Sequence, residues 1–156
     1  MDRKTLTLAG FFFALILSNA MKGQVLTNKI QFTRADTLRG SLRPKRTNFD
    51  IKSYQLEVKI EPEEKFISGF NQIHFKTTAD AQRMQLDLFK NMNIDSIVYH
   101  DELLKHKRKF NAFFFEFPQL IKAQTRDSLK IYYSGRPQIA ENPPWDGGFV
   151  FERDSK

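Results

Sequence analysis

Residues 49–60 read FDIKSYQLEVKI, and this stretch decides the fold. Tyr54, Leu56, Val58 and Ile60 share one parity; Ser53, Gln55, Glu57 and Lys59 share the other. Successive strand side chains point to opposite faces, so the alternation predicts a half-buried antiparallel strand. Pro62 ends it, because proline has no N–H to donate to a ladder, and EPEEK (61–65) is a charged turn. FISGFNQIHFKT (66–77) is the returning strand of a hairpin, with Ile67, Gly69, Asn71, Ile73 and Phe75 on one parity. Gly69 in mid-strand marks a bulge or a close backbone approach.

The period continues downstream. After a polar link at 78–83, MQLDLF (84–89) points Met84, Leu86 and Leu88 inward. Residues 94–99 form a short strand, with Leu103–Leu104 a candidate fifth. KHKRK (105–109) reads as a solvated turn. FNAFFFEF (110–117) has aromatic residues on both faces, which sets it between two layers or beneath another element. SLKIYYS (128–134) puts Leu129, Ile131 and Tyr133 on one parity. A loop rich in Pro and Gly comes next, and Phe149–Phe151 begins a further strand. The expected chain is all-β, with seven or eight short strands in antiparallel sheets forming a sandwich or a curved sheet.

The amino end is different in kind. Asp2, Arg3 and Lys4 precede LTLAGFFFALIL (6–17), and Ser18 and Ala20 are small residues ahead of a cut after Ala20. As a helix the apolar run is about 18 Å long, well short of a bilayer core of about 30 Å. Residues 1–20 therefore read as a cleaved signal helix. The chain is expected to be exported, to the periplasm, the cell surface or beyond, with no stable membrane span left after cleavage. Residues 21–46 are basic: Arg34, Arg39, Arg43, Lys45 and Arg46 face Asp36. They are expected to form an extended arm, and 47–156 the β domain.

Composition narrows the chemistry. The 156 residues carry 25 Lys+Arg against 18 Asp+Glu, a formal charge of +7, with 16 Phe and no Cys. The absence of cysteine excludes disulfides, thiolate nucleophiles and Cys-ligated zinc. His74, His100 and His106 are followed by Phe75, Asp101 and Lys107, so no His-Glu-x-x-His motif exists. Neither a Gly-x-Ser-x-Gly elbow nor a phosphate loop is present. No catalytic and no metal-ligating residue is expected in this chain. A basic run beside an aromatic strand suits single-stranded nucleic acid, but an exported chain does not meet it, and phenylalanines on both faces read as core. An acidic envelope surface is the better match for the charge. The one tryptophan, Trp145, makes a thin platform for a sugar.

From about residue 45 the ordered segments resemble the amino-terminal domain of the M1 family of zinc aminopeptidases. FDIKSYQLEVKIEPEEKFISG (49–69) is similar to that family's opening strand pair, and NQIHFKTTADAQRMQLDLFKNMNIDSIVYHD (71–101) to the section leading into a Leu-Asp-Leu strand. SLKIYYSGRPQ (128–138) resembles its Tyr-x-Gly-x-Pro segment, and NPPWDGGFVFERDS (142–155) a loop of a bacterial, often secreted, branch. The resemblance implies a saddle-like β domain that packs against a thermolysin-like catalytic domain. That second domain would carry the zinc, its ligands and the peptide-cleaving chemistry, and none of its motifs lies in these residues. The chain is accordingly expected to be an incomplete, non-catalytic amino-terminal domain, with zinc and peptide substrates belonging to the parent protein. Its role would be to wall one side of the substrate cavity. Trp145, Asp146, Gly147 and Gly148, with Arg136 beside them, are the candidates for that interface; plain turn chemistry around a core tryptophan is the other reading. FNAFFFEF is expected to leave an exposed apolar patch. The rival is a stand-alone exported β-sandwich module that binds cell-surface polysaccharide or protein.

Overall fold

The structure, a computed structural model, describes residues 31–154. The signal stretch at 1–20 and the first part of the lead-in lie outside the described residues. Every helix and strand described belongs to one compact unit, Thr33–Lys156.

Two short helices open it, α1 (Arg34–Gly40) and α2 (Pro44–Thr47). Eight strands come after them: β1 (Phe49–Glu61), β2 (Phe66–Thr77), β3 (Ala81–Asp87), β4 (Met92–Tyr99), β5 (Glu102–Leu103), β6 (His106–Lys109), β7 (Ala112–Ile121) and β8 (Arg126–Gly135). They form two sheets, ordered β1-β2-β8-β4-β5 and β3-β7-β6, and every named strand pair is antiparallel. The all-β expectation therefore holds.

The core fills the space between the sheets. Ile73, Phe75, Ile94, Ile97, Leu129 and Ile131 come from the larger sheet, and Met84, Phe113, Phe115, Phe117 and Ile121 from the smaller. Two bulges keep this set in phase. Lys52 is an extra residue between Ile51 and Ser53, so Ile51 and Tyr54 point the same way although their parities differ. Asp95 does the same between Ile94 and Ser96, which puts both Ile94 and Ile97 in the core.

Several local expectations are corrected. The lead-in is not an extended arm from residue 34 on. Thr33 and Asp36 form a reciprocal capping box, which satisfies orphan amides at the start of α1. Leu38 is buried, and its carbonyl accepts from Arg46 Nη1 at 2.9 Å and from the buried Gln85 Nε2 at 2.9 Å. Arg46 also pairs with Asp87 at 2.5 Å, so the lead-in is fastened to β3. KHKRK is not a solvated turn: His106–Lys109 is β6, and the turn itself is Phe110–Asn111. Arg108 donates to the carbonyls of Leu88, Phe89 and Met92. Residues 149–151 form no strand; one parallel bridge joins Ile139 and Phe149. Gly69 marks a close approach without a bulge, since β1 and β2 stay in register across Val58 and Gly69.

FNAFFFEF is more one-sided than its composition suggests. Phe113, Phe115 and Phe117 are core. Phe114 is half-buried on the outer face, with Lys45 of α2 over its ring at 5.9 Å. The lead-in is the second covering layer. The expected patch is not on this strand.

Candidate docking surface

The uncovered apolar face lies on β1. Cross-strand partners share a face, and Tyr54, Leu56, Val58 and Ile60 pair with Ile73, Asn71, Gly69 and Ile67. They therefore lie on the core side of the sheet. Yet Tyr54 is 56% exposed, Leu56 62%, Val58 44% and Ile60 53%. The half-buried strand expected here is exposed along most of its length, and the reason is length. β1 has 13 residues, whereas the strands of the smaller sheet, β3, β6 and β7, have 7, 4 and 10. At about 3.3 Å per residue β1 runs to about 43 Å, and the smaller sheet covers only the Phe49–Ile51 end. β1 pairs on one side only and forms the edge of its sheet.

Where the covered and uncovered parts meet, the structure has a trough of about 730 Å³. Ile51, Tyr54, Leu56, Ile73, Ile131 and Tyr133 make it largely apolar. Asn71 sits among them, and its Oδ1 is buried without a hydrogen-bond partner. A buried carbonyl oxygen left unpaired costs about 1–3 kcal/mol. Gly69, two residues away, lets β1 and β2 approach closely. Its φ is +155°, and a Cβ there would lie 1.9 Å from the Glu57 carbonyl oxygen, so only glycine fits.

The residues singled out from the sequence lie elsewhere, in and beside the 138–150 loop. Asp146 orders this loop: its carboxylate accepts from the amides of Glu141 at 2.6 Å and Asn142 at 2.9 Å. Trp145 is 90% exposed, so it is not a core tryptophan. Gly148, at φ +154°, packs against the chain's own Gln138–Ala140 backbone, whereas nothing lies near a Cβ at Gly147. Arg136 reaches the β1–β2 turn, with Nε donating to the Glu64 carbonyl at 3.2 Å, and Arg153 pairs with Glu63 at 2.6 Å. Arg136 and Arg153 thus bring the segment after β8 back to the uncovered end of β1. The row on β1 escapes sequence reasoning as a site, because alternation reports a shared face and not its cover.

Catalytic geometry is sparse. Among the described residues no group of three or more His, Cys, Asp or Glu side chains is placed to hold a metal, so the zinc implied by the resemblance has no fitting donor set here. The most connected polar group joins Tyr99, His100 and Asp127. Tyr99 donates to Asp127 at 2.5 Å, and His100 Nε2 lies 2.9 Å from the same carboxylate. Burial acts to raise the Asp127 carboxyl, but hydrogen bonds from Tyr99, the Ser128 amide and His100 outweigh it and hold the group below the usual carboxylate range. Burial, then the Asp127 partner, pushes the Tyr99 phenol well above its ordinary value. The arrangement ties β4 to β8 through side-chain hydrogen bonds. Among the described residues no helix is long and apolar enough to cross a membrane.

No family model matches the sequence, and no curated protein does. Solved structures do share the fold. A two-domain M1 zinc metallopeptidase mutant bound to L-arginine is similar over 67% of this chain and 25% of its own, with TM-score 0.55 and 16% identity. A second such two-domain enzyme, bound to L-tryptophan, is similar over 64% and 23%, with TM-score 0.55 and 17% identity. An M1 zinc metallopeptidase mutant from Deinococcus radiodurans is similar over 62% and 22%, with TM-score 0.53 and 18% identity. At these identities the likeness is one of fold. The chain matches about a quarter of the length of these solved chains.

Proposed function

We propose that this chain serves as the amino-terminal β domain of an exported M1-type zinc aminopeptidase. It is a non-catalytic body that packs on a catalytic domain and walls one side of the peptide cavity. The observation that carries the reading is the apolar row Tyr54, Leu56, Val58 and Ile60, which faces inward yet stands uncovered. A row of this kind is a place for another body to dock. The unpaired Asn71 oxygen supports the same reading, because a partner supplying one donor would relieve it. The fold shared with M1 metallopeptidases supports a catalytic domain as the partner. Zinc and the groups that activate water would belong to that second body, and this chain would add apolar surface and shape.

The test mixes the purified chain with an M1-type catalytic domain encoded by the same genome. Sedimentation velocity should give a one-to-one complex at micromolar concentration. The chain alone, with zinc added, should not turn over aminoacyl arylamides. Turnover by the chain alone, or no complex, overturns the proposal.

The exposed Trp145 favours a second reading, a stand-alone module that stacks a sugar on this side chain. It predicts that cell-surface polysaccharide quenches the Trp145 fluorescence, an effect the docking reading does not produce.

A further inference from the structure

We propose that the cleft between the helical lead-in and the outer face of the β3-β7-β6 sheet binds a multiply charged, phosphate-bearing anion. The inference is independent of the docking reading and concerns the opposite face of the smaller sheet. The cleft measures about 990 Å³ and is lined by six cations: Arg34, Arg43, Lys45, Arg83, Lys105 and Lys107. Two basic stretches far apart in sequence, the lead-in and KHKRK, converge on it.

Only one carboxylate lines the cleft, Glu116, and it is already paired with Arg83. The ion pairs among the described residues include none of the other five cations. Gathered like charges repel, and a cleft focuses their field on a counter-anion. A basic run is more often a freely solvated face; here Arg34, Arg83, Lys105 and Lys107 are exposed, while Arg43 and Lys45 are half-buried. The Lys45 ammonium is held below its usual range by burial and by the neighbouring Arg83, and it lies 5.9 Å from the centroid of the Phe114 ring.

The floor adds selectivity. Gln85, Phe114 and Lys107 are directly opposed across the three strands, so the Phe114 ring is flanked by the Lys107 ammonium on one side and, on the other, by a buried amide whose Nε2 already donates to the Leu38 carbonyl. Guanidinium forks pair with phosphate oxygens two at a time, and lysines add compact charge. A single carboxylate would balance one cation of the set; a polyphosphate or a phosphorylated headgroup would balance several.

The test is thermal unfolding of the full chain with sodium tripolyphosphate, with citrate as the carboxylate control. Two double variants are compared: Lys45→Ser with Lys107→Ser in the cleft, and Lys59→Ser with Lys90→Ser outside it. Tripolyphosphate should raise the midpoint of the wild type by about 3 °C or more. The shift should survive in the outside variant and largely vanish in the cleft variant. Co-sedimentation with phosphatidylglycerol vesicles, against phosphatidylcholine, separates the sources: retention that the cleft variant loses assigns a lipid headgroup, and no retention assigns a free anion. No shift in the wild type, an equal shift with citrate, or equal loss in both variants overturns the proposal.

Discussion

Replacing Leu56, Val58 and Ile60 together with threonine strips the inner face of β1 of apolar surface while leaving a β-branched side chain that suits a strand at each position. The three are 62%, 44% and 53% exposed. Full burial of each is worth about 1.5–3 kcal/mol. Scaled by the exposed fractions, the row holds roughly 2–5 kcal/mol of burial that the chain does not realise by itself. Within the chain the loss should be small, about 1–2 kcal/mol for all three, because threonine keeps one methyl and most of the lost surface already faces water. Urea denaturation of the isolated chain measures this. The comparison is Phe115→Ala, a core position 1% exposed, which should cost about 3–5 kcal/mol alone. Binding to a catalytic domain should instead weaken by roughly 2–5 kcal/mol, from thirtyfold to several thousandfold. If the triple variant destabilises the chain more than Phe115→Ala, the row is packed within the chain and the reasoning fails. Unchanged binding would refute it equally.

Other expectations rest on single sites. Gly69→Ala should lose about 3 kcal/mol or more, since it forces a side chain into positive φ and against the Glu57 carbonyl, while Gly147→Ala should be nearly neutral; equal urea midpoints would contradict this. Asp127 has its folded pKa below the unfolded value of about 3.9. Its stabilisation is therefore complete above that pH and is lost as pH falls through the folded value, so Asp127→Asn should flatten the acid limb of a thermal-midpoint profile. Tyr99 is shifted upward, so its contribution is complete below about pH 10 and is lost above it; Tyr99→Phe should flatten the alkaline limb. Arg108→Met leaves the carbonyls of Leu88, Phe89 and Met92 without this donor and should cost about 2 kcal/mol by urea denaturation.

The hairpin of β1 and β2 is readable because period-2 alternation reports which residues share a face. It does not report whether anything lies over that face. Tyr54 to Ile60 show the difference: their parity is right and their expected burial is not. The clue is length, since strands of 13 and 12 residues outrun the 7, 4 and 10 of the smaller sheet. α1 escapes the sequence reading although Thr33 and Asp36 spell its capping box, because the basic residues around them hide any apolar period. β6 is not legible, because pairing with β7 makes it a strand against its composition. Phe114 shows why two-sided aromatics mislead: its cover is a helical lead-in whose own sequence shows no apolar face. The cationic cleft is outside the reach of sequence, because its two halves meet only through the fold.

The most direct test is hydroxyl-radical footprinting of the chain with and without an M1-type catalytic domain. The account predicts that Tyr54, Leu56 and Ile60 oxidise readily in the free chain and become protected on mixing, while Phe115 stays protected throughout. Protection confined to other surfaces, or a β1 row already protected in the free chain, would contradict it.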